Sequence, residues 1–419
     1  MAAAILGMTA IFAQAGPIAP GLPSNYFPIG AFYQPSIPKA TTSFAGWKGR
    51  GINTLVGYEA QGTIPIEDYT AAAASAGLYL IREPSADPTR DTDPNVIAWL
   101  QPDEPEDTNH TAAELQDTYS QLQVANATLI ANGALSSPRP VLINFAGAHM
   151  VGGYGGLNWA SPKGLSVYGP YIQAADWVAQ DIYPVTGWNQ PNQLGVVGAA
   201  TAKLSGWSNK PTFAYIETSN QRLFSNSNPE TFERGPTPSE VRFEVWDAII
   251  HGARGIFYFS QSFNGFRYDA TPIDVAAEMT KQDAAINGIA AALNSTDTPD
   301  VSTVTFGSGS IEYITRSYGG ITYLIALNKS SSTLTTTFSA NFTMAQNGLS
   351  ILGTNQTLIG NGNSFSDTFA PYGVRIYAEG APGATPLAIP EPGALALIGV
   401  APLLLGRRRR SASNSSRNR

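Results

Sequence analysis

The chain contains no cysteine, so neither a disulfide framework nor thiolate chemistry is open to it. Its three histidines, His110, His149 and His251, show no metal-ligand spacing, and no metal site is expected. Charged residues make up only 13% of the 419, low for a cytosolic protein, so Ser, Thr, Asn and Gln must supply much of the polar surface. Net charge is −7, yet six arginines lie beyond residue 406, which leaves the remaining body more acidic than the total. Such a body offers no basic stripe for phosphates, and no nucleic-acid partner is expected. Also missing are a Gly-x-Ser-x-Gly elbow, a Walker loop and a Gly-rich dinucleotide turn. Serine-hydrolase and nucleotide chemistry are thereby disfavoured, and no cofactor is expected.

What is present is 43% hydrophobic residue and 10% aromatic, including 18 Tyr and 7 Trp, enough for a large core. Strand-like apolar runs alternate with helical patterns from about residue 26 to 293, the signature of βαβ units and a parallel sheet. The strands read as Phe27–Tyr33, Asn53–Tyr58, Leu78–Arg82, Val96–Leu100, Val141–Phe145, Trp177–Tyr183, Thr212–Ile216 and Gly255–Phe259. Helical patterns run over Glu67–Ala76, Thr111–Ala131, Gly195–Trp207, Pro238–Gly252 and Asp274–Leu293, while the Asp- and Pro-rich stretch 84–94 reads as a loop. Eight strands with outer helices predict a (β/α)8 TIM barrel over 24–296, with its site at the strand C-termini. A doubly wound open sheet is the alternative, and it lacks its phosphate turn here. From Val301 the pattern becomes short alternating strands with Gly-, Asn- and Ser-rich turns, which predicts a small antiparallel β-sandwich over 300–378 and a linker at 379–388.

Both ends read as processing signals. Residues 1–15 form an apolar run, AAAILGMTAIFA, closed by Ala13-Gln14-Ala15, a small-x-small cleavage site of signal-peptide type without a basic n-region. Residues 389–410 place Pro390-Glu391-Pro392 before an apolar stretch from Gly393 to Gly406 and then Arg407 to Arg410. This tail resembles the PEP-CTERM sorting signal of Gram-negative bacteria. The resemblance implies exosortase-type processing machinery as a partner, transient membrane anchoring with the arginines kept cytoplasmic, and an exported protein of the extracellular space or cell surface.

Carboxylates cluster at the predicted strand ends. The fourth strand runs into Gln101-Pro102-Asp103-Glu104-Pro105-Glu106, the sixth ends on Asp181 and Tyr183, the seventh on Glu217, and the second near Glu59. Glycoside cleavage needs such a pair: one carboxylic acid to protonate the leaving oxygen and one carboxylate opposite it. Here the chain resembles the clan A glycoside hydrolases over roughly residues 26 to 293. In that clan an Asn-Glu, often Asn-Glu-Pro, ends the fourth strand as acid/base and a Glu ends the seventh as nucleophile. The resemblance implies a retaining glycoside hydrolase with Glu104 as acid/base and Glu217 as nucleophile. The sequence departs from the pattern at Asp103, where the clan usually has Asn. A carboxylate cannot donate the hydrogen bond that amide gives, so Asp103 alters the chemistry at the sugar 2-position or is itself catalytic.

Asp103, Asn144, Asp181, Tyr183, Tyr58, Trp188, Gln261 and Arg82 are candidate contacts to a carbohydrate substrate, with Tyr33 as a further rim aromatic. Arg82 fits a buried salt bridge equally well, and Glu106 reads as a capping or solvated residue ahead of the Thr111 helix. A non-catalytic carbohydrate-binding or surface-structural protein on a barrel scaffold is the rival reading, since fold does not fix function.

Overall fold

The computed structural model describes Ile18 and residues 22–380, apart from 36–41, 59–63, 153–160, 222–233, 264, 300, 307–309, 341–348, 355 and 361. Glu59, both terminal signals and most of the expected linker lie outside the described residues. Among the described residues no helix is long and apolar enough to cross a membrane.

Eight strands close into a parallel barrel in chain order: β1 (Ile29–Phe32), β2 (Thr54–Val56), β3 (Tyr79–Arg82), β4 (Val96–Leu100), β5 (Val141–Ala146), β6 (Trp177–Asp181), β7 (Thr212–Glu217) and β8 (Ala253–Phe259). Strand β1 pairs in parallel with both β2 and β8, so no edge is left open. Every expected strand is found within two residues of its predicted ends. Alternation sorts the side chains. Phe32, Val56, Ile81, Ala98, Leu142, Ala179, Tyr215 and Phe257 fill the barrel, and their neighbours Ile29, Leu55, Leu80, Ile143, Val178 and Ile216 face the helices.

Outside the barrel run α1 (Phe44–Gly49), α2 (Ile66–Ser75), α3 (Ala112–Ala131), α4 (Gly147–Met150), α5 (Leu165–Ile172), α6 (Val196–Ser208), α7 (Pro238–Ile250) and α8 (Ile273–Leu293). Helices α3 and α7 start in capping boxes, Thr111 with Glu114 and Thr237 with Glu240, each satisfying two end donors. Glu106 therefore does not cap α3, contrary to the sequence reading. The β3–β4 crossover contains only a 3-10 turn, Pro88–Arg90, as its Pro and Asp content predicts. It is pinned by a buried Arg82–Asp91 ion pair of 3.0 Å and by Arg139, which donates to the carbonyls of Asp91, Asp93 and Val96.

The C-terminal strands are β9 (Val301–Phe306), β10 (Ile311–Tyr318), β11 (Ile321–Asn328), β12 (Leu334–Ala340), β13 (Leu349–Ile351), β14 (Thr357–Leu358), β15 (Ser364–Phe369) and β16 (Val374–Gly380). They form a five-stranded sheet, β10-β11-β16-β13-β14, and a three-stranded sheet, β15-β12-β9. Leu324, Ala326, Phe338, Phe365 and Tyr377 pack between the two sheets. Strand β16 runs two residues into the expected linker at 379–388. The opposite face of the larger sheet, Tyr323, Ile325 and Leu327, joins the outer core of the barrel against α7 and α8. The same interface buries a charge cluster. Lys329 Nζ sits 2.9 Å from Asp247 and 3.1 Å from Glu312, and His251 contacts both carboxylates. Asp247, His251 and Glu312 lie close enough together to ligate a metal, but the Lys329 ammonium already supplies the positive charge between them.

Candidate functional site

At the C-terminal mouth of the barrel, four carboxylates converge from three strand ends: Glu83 after β3, Asp103 and Glu104 after β4, and Asp181 closing β6. Pro102 and Pro105 bracket the β4 turn, which fixes φ on either side of the two acids. Within it Glu104 adopts φ +43°. Left-handed backbone at a non-glycine residue costs about 1–3 kcal/mol and persists only where surroundings enforce it. Here the Glu104 N–H donates to the Asn144 carbonyl at 3.1 Å, and the Glu104 carbonyl accepts from Asp107 and Thr108.

Asn144, near the end of β5, organises the acids. Its Nδ2 donates to Asp103 Oδ1 at 2.9 Å, and Asn144 lies near enough to Asp181 to act on its carboxyl. Glu104 lies beside Asp181. Burial pushes the Asp181 carboxyl well above the usual carboxylate range, and the charges of Glu104 and Asp103 push it the same way. Its Oδ1 is buried with no hydrogen-bond partner. Asp103 is ringed by protein yet open to water. Its carboxyl is pushed up to about 6, by desolvation first and then by Glu104 and Glu83, against the opposing pull of Asn144. Glu83 is likewise raised by burial, while a hydrogen bond from the Tyr33 hydroxyl pulls it back. Tyr33 itself holds φ +42°, and a side chain at Gly57 would strike its ring.

The floor below the acids is aromatic. Phe32 meets Tyr215 edge-on with ring centres 5.0 Å apart, and Tyr183 packs on Phe259 at 5.2 Å. The Tyr183 hydroxyl lies 3.5 Å from Asp181 Oδ2, and Tyr215 Oη is buried without a protein partner. Glu106 lies beside this group. One of its oxygens accepts from Ala146 N at 2.7 Å, the other is buried and unpartnered, and burial raises its carboxyl to about 8.

The structure thus brings together Asp103, Glu104, Asn144, Asp181 and Tyr183 of the sequence candidates. It does not bring Glu217 to them. Glu217 is 0% exposed and accepts from Val185 N at 2.6 Å, Thr186 N at 2.6 Å and Thr186 Oγ1 at 2.5 Å. Burial raises its carboxyl to about 7 against those hydrogen bonds, with Glu244 of α7 beside it. Glu244 is also fully buried, neither of its carboxyl oxygens has a partner, and burial with the Glu217 charge pushes its carboxyl well above the usual carboxylate range. A nucleophile must touch its substrate, and Glu217 has no surface with which to do so.

Four further candidates are committed elsewhere. Arg82 is 1% exposed and spends its guanidinium on Asp91, Thr70 and the Glu83 carbonyl. Gln261 is buried and donates to the Tyr33 carbonyl. Tyr58 turns its ring onto Tyr69 and its hydroxyl to the Ile64 carbonyl, and Trp188 packs on the outer core. Sequence reasoning missed Glu83 and Tyr215. Glu83 directly follows Arg82, and Tyr215 has the inward parity of the seventh strand, so both signals were present.

No protein-family model matches this chain, and no curated protein matches it. Among solved structures it is similar to a Bacteroides fragilis protein that carries the provisional name alpha-galactosidase/melibiase. That likeness has a TM-score of 0.51 at 11% identity and covers 84% of this chain and 79% of the other. A family 39 glycoside hydrolase from Bacteroides cellulosilyticus WH2 aligns at TM-score 0.47 and 12% identity, over 86% and 83% of the two chains. A GH30 endoxylanase from Clostridium papyrosolvens C71 aligns at 0.41 and 9%, over 84% and 96%. At such identities the first of these likenesses speaks to the fold, a barrel joined to β-sheet, and not to the chemistry.

Proposed function

We propose that this protein is a retaining glycoside hydrolase in which Asp181 is the proton donor and Asp103 the nucleophile. The observation that carries the reading is the meeting of Asp103 and Asp181 at the barrel mouth, where Asn144 donates to Asp103 and the Asp103 charge helps to raise the Asp181 carboxyl. The separation of the two carboxyl groups decides the stereochemistry: about 5–5.5 Å fits retention and roughly 6.5–9.5 Å fits inversion, and retention is what the clan A resemblance implies.

Protonation assigns the roles. Burial and two neighbouring charges keep Asp181 protonated, as a general acid must be. Asp103 meets water and gives up its proton near pH 6, as a nucleophile must. In the first step Asp103 attacks the anomeric carbon, the glycosidic bond breaks, and its oxygen takes the Asp181 proton. In the second, water gives a proton to Asp181 and displaces Asp103 from the anomeric carbon. Glu104, next to Asp181, acts as a positioning residue that keeps the proton on it. The half-buried rings of Tyr33 and Tyr183 supply a surface suited to a sugar ring. The tail at 389–410 and the run at 1–15 support export and surface retention of the same protein.

Azide rescue on activated aryl glycosides tests the assignment. In Asp103→Gly, azide should restore turnover and give a glycosyl azide of inverted configuration. In Asp181→Gly it should give the retained configuration. If neither variant loses activity on any glycoside that the wild-type protein cleaves, the reading fails.

A further inference from the structure

We propose a second site, a small-oxyanion site in the cavity between the floor of the barrel and the sandwich. The cavity measures about 340 Å³. Lys210 and Arg254, at the entries to β7 and β8, line it from the barrel, and Arg316 of β10 lines it from the sandwich. It therefore opens at the N-terminal ends of the strands, away from the carboxylates at the mouth.

Strand parity explains why Arg316 points there. On β10, Glu312, Ile314 and Arg316 alternate with Ile311 and Tyr313, which pack inside the sandwich, so the even positions face the barrel. Glu312 and Arg316 then receive opposite treatment at one interface. Glu312 meets Lys329 and His251 and is neutralised. Arg316 makes no ion pair among the described residues. Its Nη1 donates to the Thr315 carbonyl, and its Nε is buried without a partner.

Arg254 stands close enough to Arg316 for the two like charges to oppose each other, and burial depresses both guanidiniums. A guanidinium does not escape such a penalty by losing its proton at ordinary pH. Lys210 is anchored on the carbonyls of Ile172 and Ala175, with Asp176 as the carboxylate acting on it. The hydroxyl residues Ser205, Thr296 and Thr298 complete the polar lining. Two half-buried guanidiniums, an ammonium and hydroxyls around one small volume match a carboxylate, sulfate or phosphate group, which guanidinium forks bind in plane. The anion would join the two domains by pairing with cations from both, and the site is independent of the chemistry at the mouth.

Isothermal titration of the whole protein, with thermal unfolding beside it, tests this. Potassium phosphate, potassium sulfate and potassium glucuronate are compared with potassium chloride at equal ionic strength. Saturable binding of at least one oxyanion with a rise in Tm, absent with chloride, is expected. Arg316→Gln should weaken it at least tenfold, and Arg316→Lys, which keeps the charge and loses the fork, should fall between. Tighter binding of phosphate or sulfate identifies a free inorganic ion, and tighter binding of glucuronate identifies the acid group of a glycan. Wild-type protein that responds to the oxyanions no more than to chloride overturns the proposal. So does binding of equal strength in wild type and Arg316→Gln. Because the wild-type titration stands alone, a variant that fails to fold leaves the proposal open to refutation.

Discussion

Two groups of acids stand at the top of this barrel, and they differ in their access to water. At the ends of β4 and β6, Asp103, Glu104 and Asp181 crowd around one amide. Asp103 faces water, and Asp181 keeps an oxygen without a partner. Beside β7 and α7, Glu217 and Glu244 are crowded too, but Glu217 is sealed and takes three donated hydrogen bonds. Burial raises carboxyls in both places. A raised carboxyl sealed from water locks structure, whereas one in a setting open to water can exchange protons with a ligand. The lesson is that perturbed acidity marks a site only together with access.

The largest effect should come from reversing this contrast by mutation. Asp181→Asn should lower kcat/KM on unactivated glycosides by about 10³-fold or more, the scale of a lost general acid, with urea stability little changed. Glu217→Gln keeps one acceptor oxygen, turns an amide N–H toward one set of donors, and should keep most activity. Initial rates across both variants check this, and a Glu217→Gln protein as inactive as Asp181→Asn would erase the distinction.

Next in size is the stability held by the sealed pair. Glu217→Ala strands the donors of Val185 and Thr186 in a dry setting, at a cost on the order of 3 kcal/mol, read as a lower urea midpoint. The pH dependence has a definite sign. Glu217 is raised from 4.5 to about 7, so the folded state binds the proton more tightly. Its contribution is fully present below about pH 4.5 and is lost as pH rises through about 7. Glu217→Gln should flatten that slope, whereas Asp181→Asn should leave it in place.

A smaller effect sharpens the open side. Glu104→Gln removes the charge that acts most strongly on Asp181 after burial itself. The Asp181 proton then leaves at lower pH, so the alkaline limb of kcat/KM should move down by roughly one unit. A fall in rate with no movement of that limb would make Glu104 merely structural.

The barrel was legible because its periodicity is local: eight apolar runs and a Pro- and Asp-rich crossover each declare themselves within a few residues. Asp103 and Asp181 were legible as strand-end acids for the same reason. The fate of Glu217 was not. Its strand end was placed within one residue, but its side chain is held by Thr186 beside Glu244, both of which only the closed fold brings near. Arg82 was legible in part, since a buried salt bridge was one of its two readings and only the partner, Asp91, needed the fold. The cavity of Arg254 and Arg316 needs two domains to exist at all.

The smallest effect tests how far the field of the open cluster extends. Tyr33 donates a hydrogen bond to Glu83, and that bond holds the Glu83 carboxyl down against burial. Glu83 in turn adds to the charge that raises Asp103. In Tyr33→Phe the carboxyl of Glu83 should rise further and carry less charge at any given pH. Asp103 then loses part of what raises it and ionises at lower pH. The acidic limb of kcat/KM, expected from Asp103 near pH 6, should therefore move down by a fraction of a unit while the alkaline limb stays. An acidic limb that moves upward would mean that Tyr33 acts on Asp103 directly and not through Glu83.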